Sequence, residues 1–146
     1  MQQQAPVIAG SVAILILLIV AALHIYWAAG GKVGKGAAIP SANGRAVIKP
    51  STFGTAMVAV GLCAMAALVA LRIGWLDLPA LPGNSVVVEI GTWLIAVVFA
   101  LRAIGDFRYV GFFKRIRDGK FARLDTLAYS PLCAFLALLI GISAST

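Results

Sequence analysis

Four long apolar runs, separated by short polar stretches, dominate the chain: Val7 to about Ala29, Phe53 to Leu71, Val86 to Ala103, and Leu127 to about Ile142. A helix needs roughly 20 apolar residues to cross the hydrocarbon core of a bilayer. The first three runs fit that length, whereas the fourth is shorter and carries Pro131 near its start. None alternates apolar and polar positions as a membrane barrel strand does. The pattern predicts an all-α protein, a membrane four-helix bundle in one transmembrane domain over 1–146, with spans at about 7–29, 53–73, 85–105 and 127–144. No basic residue precedes the first run, and its apolar stretch exceeds a signal-peptide core, so it is expected to stay as a span.

The connections differ in character. Gly30 to Gly36 is rich in glycine and lysine, but Ala37 stands where a phosphate-binding loop needs its lysine, so a connector is expected. Pro40, Asn43-Gly44 and Pro50 add turn signals, and Ser51 or Thr52 can cap the second span. The outer connection, Gly74 to Asn84, is short and holds Pro79, Pro82 and Gly83, which makes spans two and three antiparallel neighbours. From Phe107 to Asp118 a helical wheel puts Arg108, Lys114, Arg115 and Asp118 on one side and apolar residues on the other. That predicts an amphipathic extension of the third helix along the membrane surface, broken at Asp118-Gly119. Ser130-Pro131 reads in two ways: the last helix starts there, or it starts near Asp125 and kinks at the proline.

Composition agrees with the pattern. Of 146 residues, 62% are hydrophobic and 12% charged, against about half and about a quarter in a soluble domain. So small a globule cannot bury that much apolar surface, and the mean hydropathy is +1.01. A soluble enzyme, a disordered tail and a fibre are excluded. Ten of the twelve Lys and Arg lie after spans one and three, on one face of the bundle. Short basic loops stay in the cytoplasm, so a bacterial inner-membrane protein with both termini outside is expected. The net charge of +7 follows from topology and anionic headgroups. The loops offer no fold with aromatic platforms for nucleic acid, so the bilayer itself is the expected partner.

Ionisable residues within a membrane are default candidates for function. His24, the single histidine, lies near the inner end of span one, followed by Tyr26 and Trp27. Arg102 and Asp106 are spaced to share a helix face, with Tyr109 further along it; Asp125, Tyr129 and Ser130 enter span four at that depth. These nine are the candidate ligand-binding residues. They form a buried salt-bridge lock, a polar pocket opening toward the cytosol or the inner headgroups, or an interface with another protein. Near the outer face Arg72 and Glu89 are expected to pair, and the apolar stretch Leu94 to Leu101 argues against a proton path between the two layers. Cys63 and Cys133 differ in depth, so no disulfide is expected. One histidine and two distant cysteines build no metal site, and no cofactor is specified. The small residues of span two, among them Gly54, Ala59, Gly61, Ala66 and Ala70, permit close helix approach and a homo-oligomeric contact.

Three stretches, His24 to Gly31, Leu101 to Arg108 and Asp125 to Cys133, carry a resemblance. On them the chain is similar to a family of small four-span bacterial membrane proteins of unknown function. The resemblance implies architecture and no activity. Four functions stay open: binding a lipid, quinone or similar amphiphile; an oligomeric transporter or channel subunit; a membrane enzyme on a lipid-like substrate with His24 as base; and an accessory subunit of a larger membrane complex.

Overall fold

The computed structural model describes residues 4–42, 45–117 and 119–145. The turn signal at Asn43-Gly44 and the expected break at Asp118 fall outside them. The elements are α1 (Gln4–Ala28), α2 (Lys35–Ala38), a small antiparallel pair β1 (Ser41–Ala42) and β2 (Arg45–Ala46), α3 (Thr52–Arg72), α4 (Val86–Ile104), α5 (Lys120–Leu124), a π-helical turn (Asp125–Tyr129) and α6 (Ser130–Ala144). The last three run on as one helix, so the bundle has four apolar helices long enough to cross a membrane: Gln4–Ala28, Thr52–Arg72, Val86–Ile104 and Lys120–Ala144.

The helix starts are written locally. Ser51 Oγ accepts from the Gly54 amide at 2.9 Å, and Ser85 Oγ accepts from the Val88 amide at 3.4 Å. Each hydroxyl satisfies an amide that has no partner within its helix. α1 packs on α3 and α6, and α4 packs mainly on α6. The seam is dry and built largely from small or branched residues, with Ala13, Leu17, Ala66, Val69, Ala96, Leu136 and Ile140 in one cluster. The outward faces are apolar too: Ile19 is 61% exposed, Val60 59%, Leu94 59% and Leu138 60%. One such residue on every helix would be costly in water and is normal against lipid, where packing rather than hydrophobic burial holds helices together. This is a multi-pass membrane protein.

Two expectations need correction. The fourth helix begins at Lys120, not near 127. Its first turns are too polar for a hydropathy run to register, yet Phe121, Ala122 and Asp125 are buried. The amphipathic segment after the third helix is also not helical. α4 ends at Ile104, Gly105 takes φ +95°, and Phe107 takes φ +61°. The amides of Arg108, Tyr109 and Val110, which a helix would send back to main-chain carbonyls, all bond Asp106 Oδ1, at 2.9, 2.7 and 2.9 Å. A short acidic side chain competing for backbone donors ends the helix there.

Candidate functional site

The bundle carries its polar side chains mainly at the basic end, where α1 and α4 finish and α3 and α5 begin. They fall into two separate groups.

The first is centred on Asp125, which is fully buried. Its Oδ1 accepts from Arg102 Nη2 at 2.9 Å. Its Oδ2 accepts from the Gly111 amide at 2.8 Å, Lys114 Nζ at 3.0 Å and Ser130 Oγ at 3.2 Å. Lys114 is buried as well, and its ammonium spends its other two donors on the Gly111 carbonyl at 3.0 Å and on Thr126 Oγ1 at 2.6 Å. Thr126 Oγ1 in turn donates to the Ala122 carbonyl at 3.2 Å. Nearly every lone pair and proton is used, as a buried ion pair requires if attraction is to offset desolvation. Arg102 Nη1 is a buried exception, with no partner among the described residues.

The π-helical turn makes this geometry. The Ser130 amide bonds the Asp125 carbonyl, one residue further back than in an α-helix. That wider turn brings residues five apart onto one side, so the Ser130 hydroxyl reaches the Asp125 carboxylate. It also relieves Pro131, whose ring would press on the Leu127 carbonyl in regular register and which has no amide to give. Both readings of Ser130-Pro131 are thereby replaced: the helix starts earlier and absorbs the proline with a bulge.

The second group surrounds His24. Its Nδ1 lies 2.8 Å from the Val20 carbonyl. A carbonyl only accepts, so Nδ1 carries the hydrogen, and Nε2 of the neutral ring keeps a lone pair. Trp27 packs its edge against the imidazole with ring centres 5.2 Å apart, and its indole donates to the Val33 carbonyl at 2.8 Å. α2 brings Lys35 to the same cavity as this pair. Together with Pro50, Thr55 and Val58 they line this cavity, of about 180 Å³.

The other candidates are dispersed. Asp106 and Tyr109 are in the loop after α4 and not on the face of Arg102, because the helix has ended. Desolvation pushes the Asp106 carboxyl up, but the amides of Arg108, Val110 and Tyr109 outweigh it and hold its pKa below the ordinary carboxylate value. A group depressed on folding stabilises above its unfolded pKa, and that contribution is lost as pH falls through the folded value. The amide signals of residues 108–110 are therefore expected to shift together in an NMR titration below about pH 4. Asp106→Asn should leave them flat. Wild-type signals that move with a midpoint above about pH 4, or that move independently of one another, would refute the assignment. Tyr26 is exposed on α1. Tyr129 donates to the Ala37 carbonyl at 3.3 Å and stacks near Phe121, which ties α2 to the last helix.

At the opposite end Arg72 bonds the carbonyls of Gly83 at 3.3 Å and Ala144 at 2.9 Å. Its charge thus sits at the C-terminus of α6, where the helix dipole favours a cation. The expected partner Glu89 instead occupies the first turn of α4, the end that favours an anion. The ion pairs among the described residues are Arg102–Asp125 and Lys114–Asp125, so the expected Arg72–Glu89 pair is not formed. The sequence does not single out Lys114 and Lys35 among the basic residues of their loops. Their spacing carries no further signal, since each reaches its place through a turn.

Fold and site together define a small multi-pass membrane protein with a sealed ion-pair hub and a separate histidine-lined cavity. The chain belongs to the family described as Protein of unknown function (DUF3995), whose model matches residues 17–140 and so takes in all three stretches that carried the resemblance. No curated protein and no solved structure matches the chain.

Proposed function

We propose that the protein binds the head of an amphiphile, a lipid, quinone or similar molecule, in the His24 cavity. In this reading the basic end faces the cytosol of a bacterial inner membrane and both termini lie outside. The basic loops support that orientation. The observation that carries the binding reading is the cavity itself. Its volume of about 180 Å³ is below the roughly 300–1,000 Å³ of clefts that enclose a whole small molecule. It has room for a ring or head group, with the rest of the ligand left in the bilayer. The walls offer a hydrogen-bond acceptor at His24 Nε2, a cation at Lys35 and an aromatic face at Trp27. A head that donates a hydroxyl and carries negative charge or a polarised carbonyl complements all three. The Asp125 hub, with its bonds spent internally, supports the reading of that group as a salt-bridge lock between helices.

Native mass spectrometry of protein released gently from its own membranes, with an absorption spectrum of the same sample, tests this. A discrete adduct is expected. It should be lost in His24→Gln and in Trp27→Ala, which remove the acceptor and the aromatic wall, and the His24 side chain makes no hydrogen bond to another helix among the described residues, so its loss should leave the bundle folded. A clean unliganded mass for the wild type would sink the reading. The copy number in the same spectrum bears on the oligomeric-subunit alternative. That reading draws on an apolar furrow between α1 and α3, where two cavities of about 310 and 270 Å³ meet at Cys63.

A further inference from the structure

The loop between α4 and α5 forms a second, open cavity, of about 470 Å³, lined by Asp106, Phe107, Arg108, Arg115 and Ile116. It shares no residue with the His24 cavity. Its two guanidiniums are not spent. The ion pairs of this end run to Asp125 from Arg102 and Lys114. Arg108 only lies over the Tyr109 ring, 5.1 Å from its centre, and neither it nor Arg115 bonds a side-chain acceptor among the described residues. The carboxylate on the wall is half committed: Asp106 Oδ1 holds three amides, and Oδ2 bonds nothing among the described residues. The backbone is strained to build this wall. Phe107 is the one non-glycine residue with positive φ among those described, and such outliers persist only where the surroundings hold them.

Depth selects the kind of ligand. The loop leaves one membrane helix at Ile104 and enters another at Lys120, so it lies at a membrane surface. Phe107, Phe112 and Phe113 are all exposed on it, as side chains are that anchor a segment among lipid headgroups. We infer that this cavity is a headgroup site for a glycerophospholipid. Arg108 and Arg115 hold the phosphate, and Asp106 Oδ2 accepts from a donor on the head, the ammonium of phosphatidylethanolamine or a hydroxyl of phosphatidylglycerol. Two cations and one carboxylate leave a net charge of +1, which the anionic head of phosphatidylglycerol neutralises, while phosphatidylethanolamine matches the site charge by charge, phosphate to guanidinium and ammonium to carboxylate. Arginine suits the task because its planar fork matches phosphate oxygens. A choline head brings no donor for Asp106 and is the poorer ligand.

Purified full-length protein in detergent, titrated with phosphatidylethanolamine, phosphatidylglycerol or phosphatidylcholine of matched chains, is read by native mass spectrometry. The first two lipids should be retained about tenfold better than the third, the factor that one charge-assisted hydrogen bond brings. The Arg108→Gln/Arg115→Gln double variant should lose retention of all three lipids, because they share the phosphate, with an unchanged melting curve, since both side chains are exposed. Arg115→Lys keeps the charge without the fork and should lose part of the retention of each lipid but none of the preference. His24→Gln should keep both whole, which separates this site from the amphiphile cavity. Equal retention of all three lipids, undiminished retention by the double variant, or displacement of the lipid by inorganic phosphate would each overturn the assignment.

Discussion

Asp125→Asn is expected to lower stability by about 3–5 kcal/mol, the usual cost of breaking a buried ion pair by removing one partner. The asparagine has the shape of the aspartate and can still accept from the Gly111 amide. What it lacks is the charge that holds Lys114, whose side chain is 1% exposed, and Arg102. An ammonium left there can neither reach water nor find another anion among the described residues. Lys114→Met should cost less, because Asp125 would keep Arg102, Gly111 and Ser130 as partners. The double variant Asp125→Asn/Lys114→Met should then be more stable than Asp125→Asn alone, since the stranded cation has gone with its partner. Unfolding by SDS in mixed micelles, followed by circular dichroism, measures all three. If the two single losses simply add to within about 0.5 kcal/mol, the residues are uncoupled, and the hub is not the lock described above.

How much of this was readable beforehand depends on the scale of the interaction. The four spans were legible because a bilayer imposes one requirement, length of apolar sequence, that each helix meets on its own. Ser51 as a cap was legible for the same reason: the bond closes within three residues. Arg102, Asp125 and Ser130 could be placed at one depth by counting along the helices. Their closing into one hub could not be foreseen, because the carboxylate is delivered by a π-helical turn and sealed by Lys114 from a loop. Six basic residues lie between Arg108 and Arg123, and nothing local distinguishes the buried one. The helical wheel over 107–118 failed because Asp106 and two glycines outweigh amphipathic periodicity. Lys35 is not distinguished in the sequence because a stretch of glycines and lysines reads as a connector, and only the fold brings it to the wall of the His24 cavity. The Arg72–Glu89 pairing rested on depth alone, which does not say which helix end a charge will reach first. In each case the missing information is a contact between segments far apart in sequence.

Gly111→Ala carries the second large effect, and it probes that kind of contact. Gly111 has φ +91°, a conformation in which an L side chain is strained by about 1–2 kcal/mol. A methyl group there would also run into the Ile104 carbonyl and the Gly105 Cα, so the main chain must move. Its amide donates to Asp125 Oδ2 and its carbonyl accepts from Lys114 Nζ. Movement therefore withdraws a charge-assisted hydrogen bond from the hub, a further loss of roughly 1.5–3 kcal/mol. The combined expectation is about 3–5 kcal/mol, comparable to Asp125→Asn although no charge is altered. Gly105→Ala should behave alike, because its new methyl would meet the Val110 carbonyl across the same crossing. Gly61→Ala is the control. It lies within α3 with open space where the methyl would sit, and alanine favours a helix over glycine by about 1 kcal/mol. The hub makes a sharper demand: combined with Asp125→Asn, Gly111→Ala should cost clearly less than it does alone, because the bond it breaks is already weakened. Full additivity in that cycle would mean that the glycine matters only for its own turn, and that loop and hub are held independently.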